Sequence, residues 1–175
     1  MKSKTDDVAL FLFHEGNNLK AYEFLGAHRS GENTVTFRVW APHARSVSVI
    51  GDFNGWDRDK NPLEKINSAG VWQGDVENVK IYDNYKYSIV TPSGETAEKS
   101  DPFAFHSETR PQNASKYYEL EGYGWRDKKW LKERLKRDIY SSPVNIYEVH
   151  LGSWKVHEDG NPFTYRELAG ELIPY

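Results

Sequence analysis

The sequence contains no cysteine. This absence excludes a small fold held together by disulfides and a metal site built from thiolates, and it is compatible with a reducing cytoplasm. No apolar run approaches the ~20 residues that a membrane-spanning helix needs. An apolar stretch near the start, residues 8–13, is too short for a secretory signal and stops at His14. We therefore expect a soluble cytoplasmic protein.

The charged residues form no long run of one sign, and the formal net charge is −3. Nucleic acids and anionic membrane surfaces are bound by basic patches. The predicted partners therefore include neither nucleic acid nor membrane. A length of 175 residues allows one ordinary domain, or one domain and a piece of another.

Aromatic residues are abundant, at 14% of the chain with 6 Trp and 11 Tyr. This favours an all-β core, a sugar-binding surface, or both. Alternating apolar and polar residues predict half-buried strands at 34–40 and 84–90. Residues 46–50 and 71–76 are further strand candidates, and 117–120 is predicted as a last edge strand. Short strands separated by frequent turns predict an antiparallel β-sandwich.

In the segments around these strands, the apolar residues do not recur at a clear helical or strand spacing. Residues 1–31 are predicted to form an N-terminal arm whose Phe and Leu side chains pack on another surface. Residues 61–70, with Pro62 and Gly70, are interpreted as a loop.

A tight turn at the end of the 46–50 strand contains two large aromatic residues. Gly51, Asp52 and Asn54 are turn formers, and Phe53 and Trp56 lie among them. One interpretation is that both aromatic rings fold back over the sheet, because large aromatic side chains are usually mostly buried. The other is that Trp56 is presented as a flat platform, since the apolar face of an indole matches the C–H face of a sugar ring.

Lys86 is a second candidate, on the predicted strand 84–90. Its side chain alternates with Tyr85 and Tyr87 and therefore lies on the opposite face from them. A lysine at such a position is usually solvated surface. It could donate to sugar hydroxyls if its face is also the face near Trp56.

The pattern changes after residue 125. Residues 126–139 are predicted as a short amphipathic helix, and 144–151 as a strand. Thr164 with Glu167 three residues later matches a capping box that opens another helix. Strand, loop and helix form one β/α unit, which cannot bury both of its faces alone. The chain stops at Tyr175 inside this helix, so we expect it to be a piece of a longer protein.

Several motifs carry a family resemblance in the same order along the chain. They are Gly26-Ala27-His28, Phe37-Arg38-Val39-Trp40-Ala41-Pro42, Gly51-Asp52-Phe53-Asn54-Gly55-Trp56, Tyr85-Lys86-Tyr87, Lys99-Ser100-Asp101-Pro102-Phe103-Ala104, Arg110-Pro111, Ile146-Tyr147-Glu148-Val149-His150-Leu151-Gly152-Ser153-Trp154 and Thr164-Tyr165-Arg166-Glu167-Leu168-Ala169. From about residue 26 onward the sequence resembles the N-terminal part of bacterial 1,4-α-glucan (glycogen) branching enzymes of the α-amylase superfamily. The last two motifs favour branching enzymes over other families with a similar turn.

The resemblance implies a mainly β chain. An immunoglobulin-like carbohydrate-binding β-sandwich would span 32–105, with a connector and short helix at 106–141. Residues 142–175 would begin a (β/α)₈ catalytic barrel, truncated here because such a barrel needs ~250 residues. The family transfers an α-1,4-glucan segment to a 6-hydroxyl and makes α-1,6 branches through a covalent glycosyl-enzyme. That chemistry needs no metal and no other cofactor.

The resemblance also implies the site and the partners. Trp56 matches a tryptophan that stacks on glucose, and Lys86 matches a nearby polar contact; Asn54 of the same turn is the third candidate. A second stacking tryptophan of related modules has no counterpart in the turn at 94–97. The implied partners are α-1,4-glucans (glycogen, amylose and maltooligosaccharides) and the rest of the barrel.

No motif for the family's catalytic carboxylates is present, so this piece is expected to be inactive and no catalytic residue is assigned. A standalone glycogen-binding module and a fragment of a debranching-type α-glucan hydrolase remain as alternatives.

Overall fold

The structure, a computed structural model, describes residues 4–175. It divides into two compact units, one ending at Tyr123 and one spanning Gly124–Tyr175. The first three residues of the predicted arm lie outside the described part. None of the helices in that part is both long and apolar enough to cross a membrane.

The first unit is mainly β. Its elements are α1 Lys4–His14, β1 Gly26–Arg29, β2 Thr34–Trp40, β3 Ser46–Gly51, β4 Pro62–Lys65, β5 Val71–Glu77, β6 Asn84–Val90, β7 Thr96–Lys99, β8 His106–Ser107 and β9 Ser115–Lys116. The second unit contains α2 Lys128–Arg134, α3 Leu151–Trp154 and α4 Tyr165–Leu172.

The nine strands are joined by antiparallel pairing in the order β1-β2-β5-β4-β3-β6-β9-β8, and β7 also pairs with β6. β4 connects the two halves of this arrangement. Its first residues, Pro62 and Leu63, pair with β3, whereas Glu64 and Lys65 pair with β5. One short strand therefore carries the hydrogen bonding from one half of the sheet to the other.

The core lies between the two halves. Val35, Phe37 and Val39 alternate inward from β2, as their pattern predicts, and Tyr85 and Tyr87 do so from β6. The rings of Phe37 and Tyr85 meet at 5.1 Å between centroids in an edge-to-face arrangement. The register of β6 is fixed because a slip by one residue would turn both tyrosines outward.

The N-terminal arm packs with some of the Phe and Leu side chains predicted to do so, whereas Phe11 and Leu19 are exposed. Leu10 and Phe13 of α1 lie against a second buried cluster around Phe24, Leu25 and Val71. The Phe13 ring also meets the ring of Trp40 edge-on at 5.6 Å between centroids.

The four longer strand predictions are confirmed, and several short ones were missed. The predicted loop 61–70 contains β4, and β1, β7 and β8 were not foreseen. The edge strand predicted at 117–120 was wrong, because the pairing with β6 is made by Ser115 and Lys116 instead. The helix predicted at 126–139 is shorter and spans Lys128–Arg134.

The strand predicted at 144–151 is wrong in this structure. Residues 143–150 have no regular secondary structure, and Leu151 already belongs to α3. Within residues 4–175 no strand pairs with this segment, and Ile146 is 88% exposed. A strand is stabilised by hydrogen bonds to a neighbour and by burial of one face, and this segment has neither. The first β/α unit of a barrel is therefore not seen within residues 4–175.

The capping box is confirmed in the second unit. The Thr164 hydroxyl accepts from the Glu167 N–H at 3.4 Å, and the Glu167 carboxylate accepts from the Thr164 N–H at 2.8 Å. The two bonds satisfy N–H groups that the first turn of α4 leaves without helical partners.

Candidate carbohydrate-binding site

The turn after β3 is built on two glycines. A Cβ atom on Gly51 would lie 2.3 Å from the carbonyl oxygen of Asn84, so no larger residue fits there. A single 3₁₀ turn, Asp52–Asn54, follows and ends at Gly55, whose φ of 68° is left-handed. The chain then passes to Trp56 with a left-handed φ of 63°. This conformation is unusual for a bulky residue.

Asn54 holds this turn from the inside. Its side chain is buried, and its Oδ1 accepts from the N–H groups of Gly51 at 3.0 Å and Trp56 at 3.1 Å. Its Nδ2 donates to the Val49 carbonyl at 3.0 Å and to Asn61 Oδ1 at 2.7 Å. An amide side chain has two donor hydrogens and two acceptor lone pairs, so all four positions are in use. Asn54 therefore has no hydrogen-bonding group left for a sugar.

Phe53 and Trp56 take different positions. Phe53 is half-buried against the core, with its ring centroid 5.7 Å from that of Phe37. Trp56 is 38% exposed. Each interpretation of the turn therefore holds for one residue. Phe53 folds back over the sheet, whereas Trp56 does not.

The indole N–H of Trp56 is already used. It donates to Asp52 Oδ1 at 3.0 Å, while Asp52 Oδ2 accepts from the backbone N–H and the side-chain amide of Asn84 at 2.8 and 3.0 Å. Asp52 therefore fixes the orientation of the indole relative to the start of β6. Trp56 offers its ring surface to a ligand, with its N–H committed to the protein.

Lys86 lies on the face of β6 that points away from the core. Tyr85 and Tyr87 on either side are buried, and Lys86 pairs with Ile50 of β3. Asn84, the partner of Asp52, is two residues away on the same face, about 7 Å along the strand. The Lys86 ammonium group makes no hydrogen bond or ion pair with any residue between 4 and 175. The face of Lys86 is therefore the face to which Trp56 is tied.

The segment after Trp56 is anchored to the neighbouring hairpin. Arg58 forms an ion pair with Glu98 of β7 at 2.6 Å, and Lys60 donates to the Asn54 carbonyl at 3.2 Å. Such exposed pairs contribute little to stability. They nevertheless restrict the segment on the C-terminal side of Trp56. The β6–β7 turn, with Gly94 at its tip, carries no aromatic side chain.

A buried carboxylate, Asp101, holds β6 on the core side of the sheet through two tyrosine hydroxyls. Asp101 Oδ2 accepts from the hydroxyls of Tyr85 at 2.7 Å and Tyr87 at 3.2 Å, and Oδ1 accepts from the Phe103 N–H at 2.8 Å. Burial raises the pKa of Asp101, and these hydrogen bonds oppose the rise. Burial and the Asp101 charge raise the pKa of both tyrosines. The group is structural, because it lies in the core with its oxygens bonded to protein donors.

Sequence reasoning located Trp56 and Lys86 but missed Asp52 and Asn84. An Asp four residues before a Trp within a turn was the available signal for the first. The bond from Asp52 to Asn84 joins residues 32 positions apart, and no local pattern predicts it.

The chain matches one protein-family model and several curated proteins. Residues 24–104 match the family Carbohydrate-binding module 48 (Isoamylase N-terminal domain). The chain is 50% identical over 179 aligned residues to the 1,4-alpha-glucan branching enzyme GlgB of Halothermothrix orenii, covering 100% of this chain and 28% of that protein. It is 46% identical over 169 residues to the GlgB of Bacillus subtilis, covering 95% of this chain and 27% of that protein.

The match to the GlgB of Bacillus caldolyticus is 49% over 173 residues, covering 97% of this chain and 26% of that protein. The chain therefore spans about a quarter of the length of the curated relatives that it matches. These relatives match both units, including the segment whose predicted strand is not formed. The chain therefore belongs with the N-terminal part of the 1,4-α-glucan branching enzymes and carries a carbohydrate-binding module 48 at residues 24–104.

Proposed function

We propose that this chain is the α-glucan-binding part of a glycogen branching enzyme, with Trp56 as the surface on which a glucose ring stacks. The observation that carries the proposal is the exposed, rigidly held indole of Trp56. Asp52 fixes it at 3.0 Å, and the ammonium of Lys86, which has no partner within residues 4–175, lies on the same face of the sheet. The apolar ring face suits the C–H face of a sugar, and the ammonium suits its hydroxyls.

In this proposal Asn54 positions Trp56 and does not touch the ligand. The ligands are α-1,4-glucans such as glycogen, amylose and maltooligosaccharides, in the cytoplasm. The proposed organisation is an arm at 1–31, an immunoglobulin-like binding sandwich at 32–105, a connector at 106–141 and the start of the catalytic barrel at 142–175. The rest of that barrel is the proposed protein partner, and it would supply the carboxylates for branching.

We further propose that the 175-residue chain does not branch glucan by itself. A retaining transfer needs a carboxylate nucleophile and a carboxylic acid/base on either side of the scissile bond. The family places these groups on later barrel strands. A branching assay on amylose should therefore give no product above the buffer blank, and measurable branching would contradict this part of the proposal.

The binding role is tested by titrating the chain with maltoheptaose in a calorimeter. Trp56→Ala removes the stacking surface and is expected to weaken affinity at least about tenfold, which corresponds to about 1.4 kcal/mol. Lys86→Ala is expected to weaken it less, because one hydrogen bond to an exposed ligand is lost.

Trp130→Ala is the matched control, since Trp130 is also an exposed tryptophan but lies in the second unit. It should leave the affinity unchanged. Equal affinities of Trp56→Ala and the unmodified chain, with the fold intact by circular dichroism, would overturn the platform role of Trp56.

The two alternative functions have less support. A standalone glycogen-binding module would need only the first unit, whereas the branching-enzyme relatives match the second unit as well. No specific observation favours a debranching hydrolase.

A further inference from the structure

Three aromatic rings form a surface cluster away from Trp56. Tyr82 lies just before β6, His106 is in β8, and Tyr118 follows β9. The ring centroids are 5.6 Å apart for Tyr82 and His106, 5.4 Å for Tyr82 and Tyr118, and 5.8 Å for His106 and Tyr118. Tyr82 is 52% exposed, and His106 is also exposed. We call these residues the aromatic triad.

Tyr82 occupies a backbone conformation that its side chain disfavours. In the described chain only Trp56, Asn78 and Tyr82 are non-glycine residues with positive φ, at 63°, 62° and 73°. Asparagine tolerates the left-handed region, whereas a bulky aromatic residue pays a free-energy cost there. Two exposed aromatic residues of the same unit share this cost, and strained residues tend to mark functional sites.

The strained position is held firmly in place. The Tyr82 N–H donates to the Tyr117 carbonyl at 2.8 Å, and the Tyr117 N–H donates to the Asp83 carbonyl at 2.9 Å. The Asp83 carboxylate also accepts from the Lys80 N–H at 2.8 Å. These bonds present the Tyr82 ring on a rigid turn instead of a mobile loop.

Within the described part of the chain, the phenolic groups of the triad make no hydrogen bonds. The hydroxyls of Tyr85 and Tyr87 donate to Asp101, and the Tyr117 hydroxyl donates to Glu119. In contrast, the hydroxyls of Tyr82 and Tyr118 have no hydrogen-bond partner within residues 4–175. Ring faces with unpaired donors at their edges match a sugar, which has C–H faces and hydroxyl edges.

We propose that the aromatic triad is a second stacking site for an α-1,4-glucan chain. The inference rests on the proposed function of the Trp56 face. The two sites share one scaffold, because Asn84 binds Asp52, the residue that holds Trp56, and Tyr82 lies only two residues before Asn84. Two residues of chain span at most about 7 Å. The triad and the residues that hold Trp56 are therefore both attached to the start of β6.

The test is a maltoheptaose titration of the 175-residue chain carrying Tyr82→Asn, with thermal unfolding measured on the same sample. Asparagine removes the ring and suits the left-handed backbone. We expect affinity to fall about three- to tenfold while the melting temperature stays level or rises. A Tyr82 kept only for packing gives the reverse, a lower melting temperature with unchanged affinity, and that result overturns the proposal.

Two further variants keep the test decisive if Tyr82→Asn is poorly folded. Tyr118→Ala should also weaken binding, whereas Tyr82→Phe should retain most of it because the ring face remains. Tyr140→Ala, which removes a 96% exposed tyrosine of the second unit, is the matched control and should change nothing. The His106 ring protons should shift in the NMR spectrum when maltoheptaose is added, and unshifted His106 signals at saturation also overturn the proposal.

The outcomes separate this inference from the proposed function. If Trp56→Ala weakens binding and the triad variants do not, the triad proposal fails and the Trp56 site stands. If the triad variants weaken binding and Trp56→Ala does not, the glucan site is the triad and the platform role of Trp56 fails. If the unmodified chain does not bind maltoheptaose, both proposals fail.

Discussion

Asn54 shows how a single buried side chain determines the shape of the candidate site. Its amide satisfies the Gly51 N–H and the Val49 carbonyl inside the turn. Asn54→Ala removes the side-chain partner of the Gly51 N–H and of the Val49 carbonyl. Each buried polar group left unsatisfied costs about 1–3 kcal/mol. We expect a loss of at least about 2 kcal/mol in the free energy of unfolding, measured by urea denaturation.

Asn17→Ala is the control for this loss, because Asn17 is exposed; it should stay within about 0.5 kcal/mol of the unmodified chain. Maltoheptaose affinity should fall with Asn54→Ala as well, since the backbone N–H of Trp56 loses one of its two acceptors and keeps only the Gly51 carbonyl. An Asn54→Ala chain that is as stable as the unmodified one would show that the turn holds its shape without the amide.

The second prediction at this scale concerns the buried Asp101. Its pKa is raised above 3.8, mainly by burial. Between 3.8 and the raised native value, the folded state binds the proton more strongly than the unfolded state does. The stability of the unmodified chain relative to Asp101→Asn should therefore fall as pH rises through this window and level off on either side.

Carboxyl NMR titration gives the native pKa directly, and urea denaturation across the same pH range gives the stability difference. A native pKa below 3.8, with the stability difference rising with pH, would mean that the hydrogen bonds from Tyr85, Tyr87 and Phe103 outweigh burial.

Patterns at the residue scale predicted the position of the candidate site but not the hydrogen bonds that hold it. Turn chemistry and alternation are local, so Trp56 and Lys86 could be placed on a turn and on an outward strand face from sequence alone. Asn54 is predicted as a third candidate contact of the same turn, but its side chain is buried. Its bond to Asn61 and the burial that accompanies it depend on how the chain folds back, which the local sequence does not encode.

At the scale of elements, alternation predicted only the longer strands. β2, β3, β5 and β6 have six or seven residues each, enough for a period of two to appear. β4 and β7 have four, and β8 has two, so their pairing is determined by neighbours and not by their own pattern. The segment 144–151 is the opposite case, since its pattern suits a strand but no strand of the described chain pairs with it.

Gly70 gives an element-scale prediction about the connection between β4 and β5. Its φ is 93°, and a Cβ there would lie 2.2 Å from Pro42 Cα, just beyond β2. Gly94 in the β6–β7 turn has nearly the same φ, 91°, with nothing within 4 Å. Both Gly→Ala variants pay the left-handed cost of about 1–2 kcal/mol, but only Gly70→Ala adds a backbone clash.

Gly70→Ala should therefore lower the free energy of unfolding by about 1–3 kcal/mol more than Gly94→Ala does. Chemical denaturation of the two variants side by side measures the difference. Equal losses would mean that the Pro42 segment moves away at no cost.

At the scale of the whole molecule, everything assigned to glucan binding lies in the first unit. Trp56, Lys86 and the aromatic triad all precede Gly124, and so do both buried clusters of the β core. In the second unit most large apolar side chains are exposed, and Leu168 is the one that is fully buried among those described. Residues 143–150 have no regular secondary structure to protect their amides.

A chain shortened to residues 1–123 should therefore keep the melting temperature of the β transition and the maltoheptaose affinity of the 175-residue chain. Amide exchange on the longer chain should show slow exchange in β2, β3 and β6 and fast exchange at 143–150, because slow exchange requires a stable hydrogen bond. Strong protection at 143–150 would mean that this segment is paired in solution. Loss of affinity on shortening would place part of the glucan site after residue 123 and would contradict the assignment of binding to the first unit.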